Sequence, residues 1–447
     1  MKKIIVAGAG HGGIAAAYNL AKKGYDVTVY DRVQKEEDLG HEWQDFFHKD
    51  ALTDSGFPAC EVGMVHRVPI SFYGPDKDVP PIGQTVKDDE FEMHMYRKDL
   101  YAHILKYSKE AGVKFVFGCS IKKPLMLGNR VVGFETSDGE KVIGDLVIDA
   151  CGINSPLRTQ LPSYLGVQNK FLRGETIFVY RAYYNRLKKF PEIPNDYHVY
   201  FLNDGKDGMG WIVTNEDSVD VLIGKPSPFT KEEALSELER YDEFAPHRGK
   251  KVLLGGGIYE IPVRQPLAIM VADGYAAVGD SAAMTVPIVG SGIANTLKAG
   301  KMLADAVLAD KNGEYSASTL YNYEAAYYKQ LGSSLAMVDL IKILLQNLTL
   351  EDLRLFFASG VVTSEDLSFN SNEASLSTIF ANIKPSDVVD RFKKVGKNKA
   401  LFKKVLTLIK NIAILRRIML TMPKKYNEKS LAAFADRYNK FFASLVK

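Results

Sequence analysis

The sequence predicts an α/β fold in three parts: a parallel βαβ unit that opens the chain, an antiparallel β-sheet inserted into it, and a helical C-terminal region. Three observations carry this expectation. A strand, a glycine turn, a helix and a second strand follow one another within residues 3–31. Two later segments, 141–158 and 274–292, repeat a short apolar strand that runs into a turn. Residues 171–252 are rich in β-forming runs, and beyond about residue 314 the glycine turns cease and the pattern is helical.

Residues 3–7 (KIIVA) are apolar and β-branched, as a buried strand requires. Gly8-Ala9-Gly10-His11-Gly12-Gly13 follows and matches G-x-G-x-x-G. Residues 14–23 have helical composition and stop at Gly24, a C-cap residue, and residues 25–30 (YDVTVY) form a second strand closing on Asp31. This order is the dinucleotide-binding unit. Gly8 allows the tight turn, Gly10 lets backbone amides approach a pyrophosphate, and Gly13 lets helix and strand pack closely. The helix that follows His11, Gly12 and Gly13 turns its positive N-terminus toward phosphates. Asp31, followed by Arg32, is placed to accept hydrogen bonds from a ribose. The unit alone does not separate NAD from FAD.

Residues 141–151 (KVIGDLVIDAC) read as one strand, turning out through Gly152-Ile153-Asn154-Ser155-Pro156-Leu157-Arg158. Residues 274–279 (GYAAVG) form another, followed by Asp280 and, after Pro287-Ile288-Val289-Gly290-Ser291-Gly292, a helix from Ile293 to about Leu308. Its small residues Ala294, Ala299 and Ala304 permit a close approach to a neighbour. Together, GAGHGG with Asp31, GDLVIDACGINSPLR and GYAAVGDSAAMTVPIVGSGIANTLKAG resemble the para-hydroxybenzoate-hydroxylase type of FAD-dependent oxidoreductase, whose Rossmann-like FAD domain is of the glutathione-reductase type. The resemblance implies that Asp280 holds the FAD ribityl chain and that Pro287, Gly290, Ser291, Gly292 and Ile293 lie against the isoalloxazine. Arg97, in YRKDL, resembles the arginine that opens the helix beneath the FAD; its other reading is a surface residue at a helix start.

Within that type the chain is more similar to the geranylgeranyl-reductase branch. The lead-in YEIPVRQPL (residues 259–267) and the segment GMGWIVT (residues 208–214) with VDVLIG (residues 219–224) carry this likeness. The chain departs from the branch at Met209, at Val213-Thr214 and at Ser291, and Cys151 stands where hydroxylases carry the Asp of an Asp-Gly motif. The second Trp of a flavin-halogenase signature is missing beside Trp211.

The expected domains are an FAD-binding domain (1–61, 87–170 and 253–312), a substrate domain roofing the flavin (62–86 and 171–252) and a helical region (313–447). Trp211 either lines the substrate pocket or is an ordinary core residue. His41 and His48, near Glu42 and Trp43, lie where such enzymes bring a loop near the flavin; they either move protons or belong to a solvated loop. The remaining histidines show no metal spacing, and no metal site is expected.

Hydrophobic residues make up 46% and charged residues 25%, which excludes a disordered or collagen-like chain. Cys60, Cys119 and Cys151 are too few and too far apart for a cluster, a zinc site or a dithiol relay, and they fit a reducing cytoplasm. No signal peptide or transmembrane helix is expected. The net charge of +3 argues against a nucleic-acid partner, but it is uneven: residues 384–447 hold 17 Lys/Arg and 4 Asp/Glu, leaving 40 bases and 50 acids in the rest. In this basic tail, Leu401, Val405, Leu408, Ile412, Leu415, Met419 and Met422 form one apolar stripe. A basic amphipathic helix is either a peripheral membrane contact at the inner membrane face or a helix packed on the body.

The resemblance implies an enzyme that uses FAD, with NAD(P)H as an electron donor, to reduce carbon–carbon double bonds of a lipophilic, isoprenoid-like substrate. The alternative is an FAD-dependent monooxygenase using NAD(P)H and oxygen. An oligomer is compatible with either.

Overall fold

The computed structural model describes residues 2–40, 42–76, 78–168, 170–172, 174–190, 197–201, 208–359, 363–364, 393, 396 and 398–445. A six-stranded sheet lies at the base of the fold, in the order Val271–Ala272, Tyr275–Ala277, Leu146–Asp149, Lys3–Ala7, Asp26–Tyr30, Lys114–Val116. All its pairings are parallel except that of the first two strands. Its central strands are almost wholly buried, which their unbroken apolar runs require. The helices His11–Ala21, Arg97–Glu110 and Ile293–Ala309 pack beside this sheet. Ala294, Ala299 and Ala304 are buried in the last of these, and the closest approach is at Gly300, where a Cβ would lie 2.2 Å from the Gly12 carbonyl oxygen.

Residues 141–151 are not one strand. Lys141–Ile143 joins an antiparallel three-stranded sheet with Arg130–Thr136 and Ile121–Leu127, while Leu146–Asp149 joins the base sheet. The break falls at Gly144-Asp145, where the Asp145 N–H turns to the Lys3 carbonyl (2.8 Å) and a Cβ on Gly144 would meet Ile5 at 3.0 Å.

A seven-stranded sheet roofs the site, in the order Arg248–Pro262, Thr176–Arg186, Ser218–Lys225, Met209–Thr214, Tyr197–Phe201, Ile70–Tyr73, Ile82–Gly83. It is antiparallel except where Tyr197–Phe201 pairs in parallel with Ile70–Tyr73, so the expected all-antiparallel sheet is in fact mixed. The boundary expected between residues 252 and 253 falls inside the strand Arg248–Pro262. Segment 62–86 divides between two sheets, because Met64–His66 pairs with Phe91–Tyr96 in a separate three-stranded sheet completed by Gln44–His48. The stretch around His48, expected as a loop, is therefore a strand. Tyr183 ties it to the roof: its hydroxyl accepts from the Gln44 N–H (2.8 Å) and donates to the Gln44 carbonyl (3.0 Å).

In the C-terminal region, Ala317–Tyr327 continues through a π-helical turn at Tyr328–Gly332 into Ser333–Gln346, followed by Leu350–Ala358, Lys399–Met419 and Glu428–Ala443. The expected apolar stripe faces the body. Leu401 and Leu415 are buried, and Val405, Leu408, Ile412, Met419 and Met422 pack half-buried against the core. Lys404 is not merely solvated: its Nζ is 2.5 Å from the Asp352 carboxylate and 2.7 Å from the Asn347 carbonyl. Residues 384–392 of the tail lie outside the described residues. Among the described residues no single helix is long and apolar enough to cross a membrane; the bent pair Ala317–Gln346 and Leu350–Ala358 is so by length and composition only.

Glu324 on the Ala317–Tyr327 helix is fully buried and accepts the Met270 N–H at 2.7 Å. Burial pushes its carboxyl up from 4.5 to about 8. The folded chain keeps a proton that the unfolded chain releases near 4.5, so this stabilisation is complete below that pH and is lost as pH rises through about 8. Glu324→Gln retains the acceptor and cannot ionise. Its melting temperature is expected to fall less than that of the wild type as pH is raised across this range. Parallel melting curves for the two proteins would show that the carboxyl is not protonated.

Candidate cofactor and substrate site

The N-terminal turn has the geometry its glycines predict, with one difference of cause. Gly8 adopts a left-handed φ of 88°, and a Cβ on Gly13 would lie 2.6 Å from the Ala150 Cβ. A Cβ on Gly10 would lie 2.9 Å from the Ala150 carbonyl oxygen, so packing alone already demands glycine there. The helix starts at His11, with its first internal bond from the Ile14 N–H to the Gly10 carbonyl (3.0 Å). First-turn N–H groups have no acceptor within their own helix and suit a phosphate. His11 itself stacks on Tyr101, ring centroids 4.7 Å apart. Asp31 accepts from the Ala9 N–H (2.7 Å) and the Val33 N–H (3.0 Å), which bends the chain around the turn and leaves lone pairs for hydroxyls. Arg32 is exposed beside it.

Asp280 sits in the turn Gly279–Ala282 and accepts from the Thr285 hydroxyl (3.0 Å). Burial pushes its carboxyl up, and the Thr285 bond and Arg97 oppose the shift. The Gly292 position lies against both: a Cβ there would be 3.3 Å from the Thr285 hydroxyl and 3.8 Å from the Asp280 carboxylate. Gly290, with φ 67°, closes the preceding turn through its N–H to the Val286 carbonyl (2.9 Å). A glycine cradle, a helix start and two carboxylates at strand ends form a donor and acceptor set that fits an FAD.

Pro287, Gly290, Ser291, Gly292 and Ile293 all line one wall of a cavity of about 670 Å³. This volume is in the range of small-molecule sites. Arg97 and Trp211 line it too. The opposite walls are largely apolar, with Phe46, Ile70, Phe201, Met209 and Leu222 among them. Arg97 is not a surface residue. It makes a two-pronged ion pair with Asp45 (2.7 and 2.8 Å) and lies 4.9 Å from the Trp43 ring.

A chain of buried charges continues from there. Arg181 reaches Asp45 at 3.8 Å and grips Asp220 at 2.7 and 3.0 Å, and its guanidinium lies 5.2 Å from the ring centres of Trp43, Tyr183 and Trp211. Trp211 thus already faces a cation that two carboxylates balance. Burial alone pushes the Asp45 carboxyl up, but Arg97 and Arg181 bring it below the usual carboxylate range.

His48 has no place on the cavity wall. Its Nδ1 accepts from the Asp50 N–H (3.2 Å), a local contact at the end of its strand. His41 lies outside the described residues. Sequence reasoning missed Asp45, Arg181, Asp220 and Glu92, all polar residues inside strands, because their partners lie 24 to 136 positions away. It also missed Asp149, which accepts from Ser155 (2.5 Å), Tyr275 (2.8 Å), Ser281 (3.1 Å) and the Cys151 N–H (3.1 Å). The only signal was an acid closing an otherwise apolar strand.

Removing one partner of a buried ion pair leaves the other unpaired. Asp220→Asn is expected to cost about 3–5 kcal/mol of unfolding free energy, whereas the double change Arg181→Met with Asp220→Leu recovers most of it. Denaturant titration reads both; a loss under 1 kcal/mol for Asp220→Asn would remove the pair from the fold's essential contacts.

Two family models match parts of the chain: an NAD(P)-binding Rossmann-like domain over residues 6–57, and tryptophan halogenase over residues 76–177. The second stops short of the Trp211 strand. A digeranylgeranylglycerophospholipid reductase of Sulfolobus acidocaldarius is 24% identical over 397 residues, 83% of this chain and 84% of that one. A geranylgeranyl bacteriochlorophyll reductase-like protein of Thermoplasma acidophilum shares the fold with a TM-score of 0.70 and 20% identity, over 88% of this chain and 99% of the other. PqsL of Pseudomonas aeruginosa, described as a probable FAD-dependent monooxygenase, shares it with a TM-score of 0.58 and 19% identity over 80% and 98%. In sequence over most of its length, and in fold, the chain is similar to the geranylgeranyl reductase-like branch of the FAD-dependent oxidoreductases.

Proposed function

We propose that the chain is an FAD-dependent reductase that saturates carbon–carbon double bonds of a lipophilic, isoprenoid-like substrate. The cavity carries this reading: a largely apolar chamber of about 670 Å³ whose one wall is the turn at residues 287–293. The relatives named as reductases of geranylgeranyl lipids supply the substrate class. Gly8 to Gly13 and Asp31 hold the dinucleotide end of FAD, and Asp280 with the turn at 287–293 holds the ribityl and ring end. The bound flavin, once reduced by NAD(P)H or another donor, supplies hydride. The apolar walls exclude water and orient the alkene, and Trp211 lies where charge develops on the substrate. The tail, if it touches a membrane at all, does so with the face turned away from the body.

The fold likeness to PqsL favours a second reading, a monooxygenase. Cys151 weighs against it. Burial beside Asp149 pushes its thiol well up, so it stays uncharged and does not replace the carboxylate that hydroxylases carry there.

Anaerobic reduction of the yellow protein, followed by polyprenyl lipid or oxygen added separately, tests the choice. Reoxidation by the lipid with a saturated product is expected; rapid reoxidation only by oxygen with an aromatic substrate would establish the monooxygenase. Trp211→Ala is expected to slow lipid-driven reoxidation roughly 2- to 30-fold, the equivalent of about 0.5–2 kcal/mol of cation–π attraction. Unchanged turnover would take Trp211 out of the site.

A further inference from the structure

We propose that Glu92 is the catalytic acid of this cavity, the group that protonates the second alkene carbon. The inference rests on the reductase reading and completes it, since hydride alone leaves one carbon of the double bond unsaturated.

Glu92 lines the cavity that the turn at 287–293 also lines, yet only 4% of it is exposed. It is the second residue of the strand Phe91–Tyr96, which leads directly into the Arg97 helix, and its carboxylate accepts the Val68 N–H at 3.3 Å. The other proton carriers among the described cavity residues are committed elsewhere: Lys342 is tied to Asp339 (2.9 Å) and to the Gly174 and Val263 carbonyls (3.2 and 2.7 Å). Asp45 is held ionised between Arg97 and Arg181. Arg67, Arg97 and Arg181 do not release protons near neutrality. Tyr197 also lines the cavity, but burial pushes its phenol up and out of reach. His94, on the same strand, is lowered by burial to about 4 and carries no proton to give.

The groups facing Glu92 are Arg67 and Glu90 from the adjoining hairpin, Tyr197 from the roof and its cross-strand neighbour His48. Burial dominates over the opposing Val68 bond and Arg67, and raises the carboxyl from 4.5 to about 7. Near neutral pH both its protonated and its ionised forms are populated, so it can give a proton and regain one. Arg67, which keeps its own proton, marks where solvent comes near Glu92. It lines both the inner cavity and an open recess of about 490 Å³ shared with His66, Gln84, Lys87 and Asp88.

The step balances. One alkene carbon takes hydride with its electron pair from the reduced flavin; the π electrons of the double bond form the second C–H bond with the Glu92 proton. The O–H bond breaks, a carboxylate remains beside Arg67, and water in the recess restores the proton.

The test compares wild type, Glu92→Gln and Glu92→Asp as full-length, flavin-loaded proteins. The infrared difference between wild type and Glu92→Gln should show a protonated-carboxyl band that vanishes through about pH 7, the Glu324 band common to both proteins cancelling. Glu92→Gln should keep wild-type flavin reduction and lipid affinity, while reoxidation by polyprenyl lipid slows by about 10²- to 10⁴-fold and loses its decline at alkaline pH. Glu92→Asp should be intermediate and retain that decline. Wild-type reoxidation by Glu92→Gln, a slowing that tracks weakened lipid binding alone, or a Glu92 band that vanishes near 4.5 would each overturn the role. A wild-type protein that lipid does not reoxidise at all would overturn the reductase reading itself, and the Glu92 role with it, before any variant is compared.

Discussion

The alternating charges Arg97, Asp45, Arg181 and Asp220 hold the site together. Each belongs to a different element: a helix start beside the base sheet, a strand of the small sheet and two neighbouring strands of the roof. Buried ions of one sign are costly, and the chain is neutral only when all four elements are in register. The sandwich of Arg181 among Trp43, Tyr183 and Trp211 adds a geometric condition, since a guanidinium attracts aromatic faces over only a few ångströms. The pairing thereby specifies the register of the roof over the turn at 287–293. The fixed charges also set the cavity's proton chemistry: they keep Asp45 ionised, so that an acid must be found elsewhere on the wall.

A second buried carboxylate does for the cofactor half what this chain does for the roof. Asp149 ends a base-sheet strand and gathers Ser155, Tyr275, Ser281 and the Cys151 N–H around one point. Those donors come from two segments, residues 151–155 beside Asp149 and residues 275–281, the second of which leads into the cofactor turn. The close seat of Gly300 on the Gly12 carbonyl locks the two glycine turns together from the other side. A single added methyl group at either place disturbs a cradle built from backbone, which a side-chain shift cannot relieve.

The base of the fold was legible because its signals are local. Strand, turn, helix and strand succeed one another within 31 residues, and glycine spacing carries the backbone demands of the turn. The same holds for Asp280 and residues 287–293, which sit where strand ends and helix starts predict. The roof was legible as strands but not as topology. Nothing local shows that residues 70–73 pair in parallel with residues 197–201, or that residues 64–66 join another sheet. The walls of the cavity were least legible. Arg181, Asp220 and Glu92 read as ordinary polar positions in alternating strands, and only tertiary burial turns them into an ion pair and an acid. His48 shows the converse, a residue with suitable chemistry that its strand uses for a local turn.

The uneven charge of the chain acquires a different meaning once the tail is placed. Leu401 and Val405, at the head of its apolar stripe, join Leu353, Phe357, Phe201 and Trp211 in one cluster behind the cavity, while Leu408, Ile412, Leu415, Met419 and Met422 pack on the main core. A stripe used in this way is not available to a bilayer. What remains outward is Leu420, 85% exposed, with Leu406 and Ile409 among exposed lysines and arginines. The attraction these lysines and arginines exert on an anionic surface is electrostatic and is weakened by salt. The basic charge and the apolar stripe, which read as one signal in the sequence, act on opposite faces of the helix. The stripe belongs to the body, and the charge faces the surroundings.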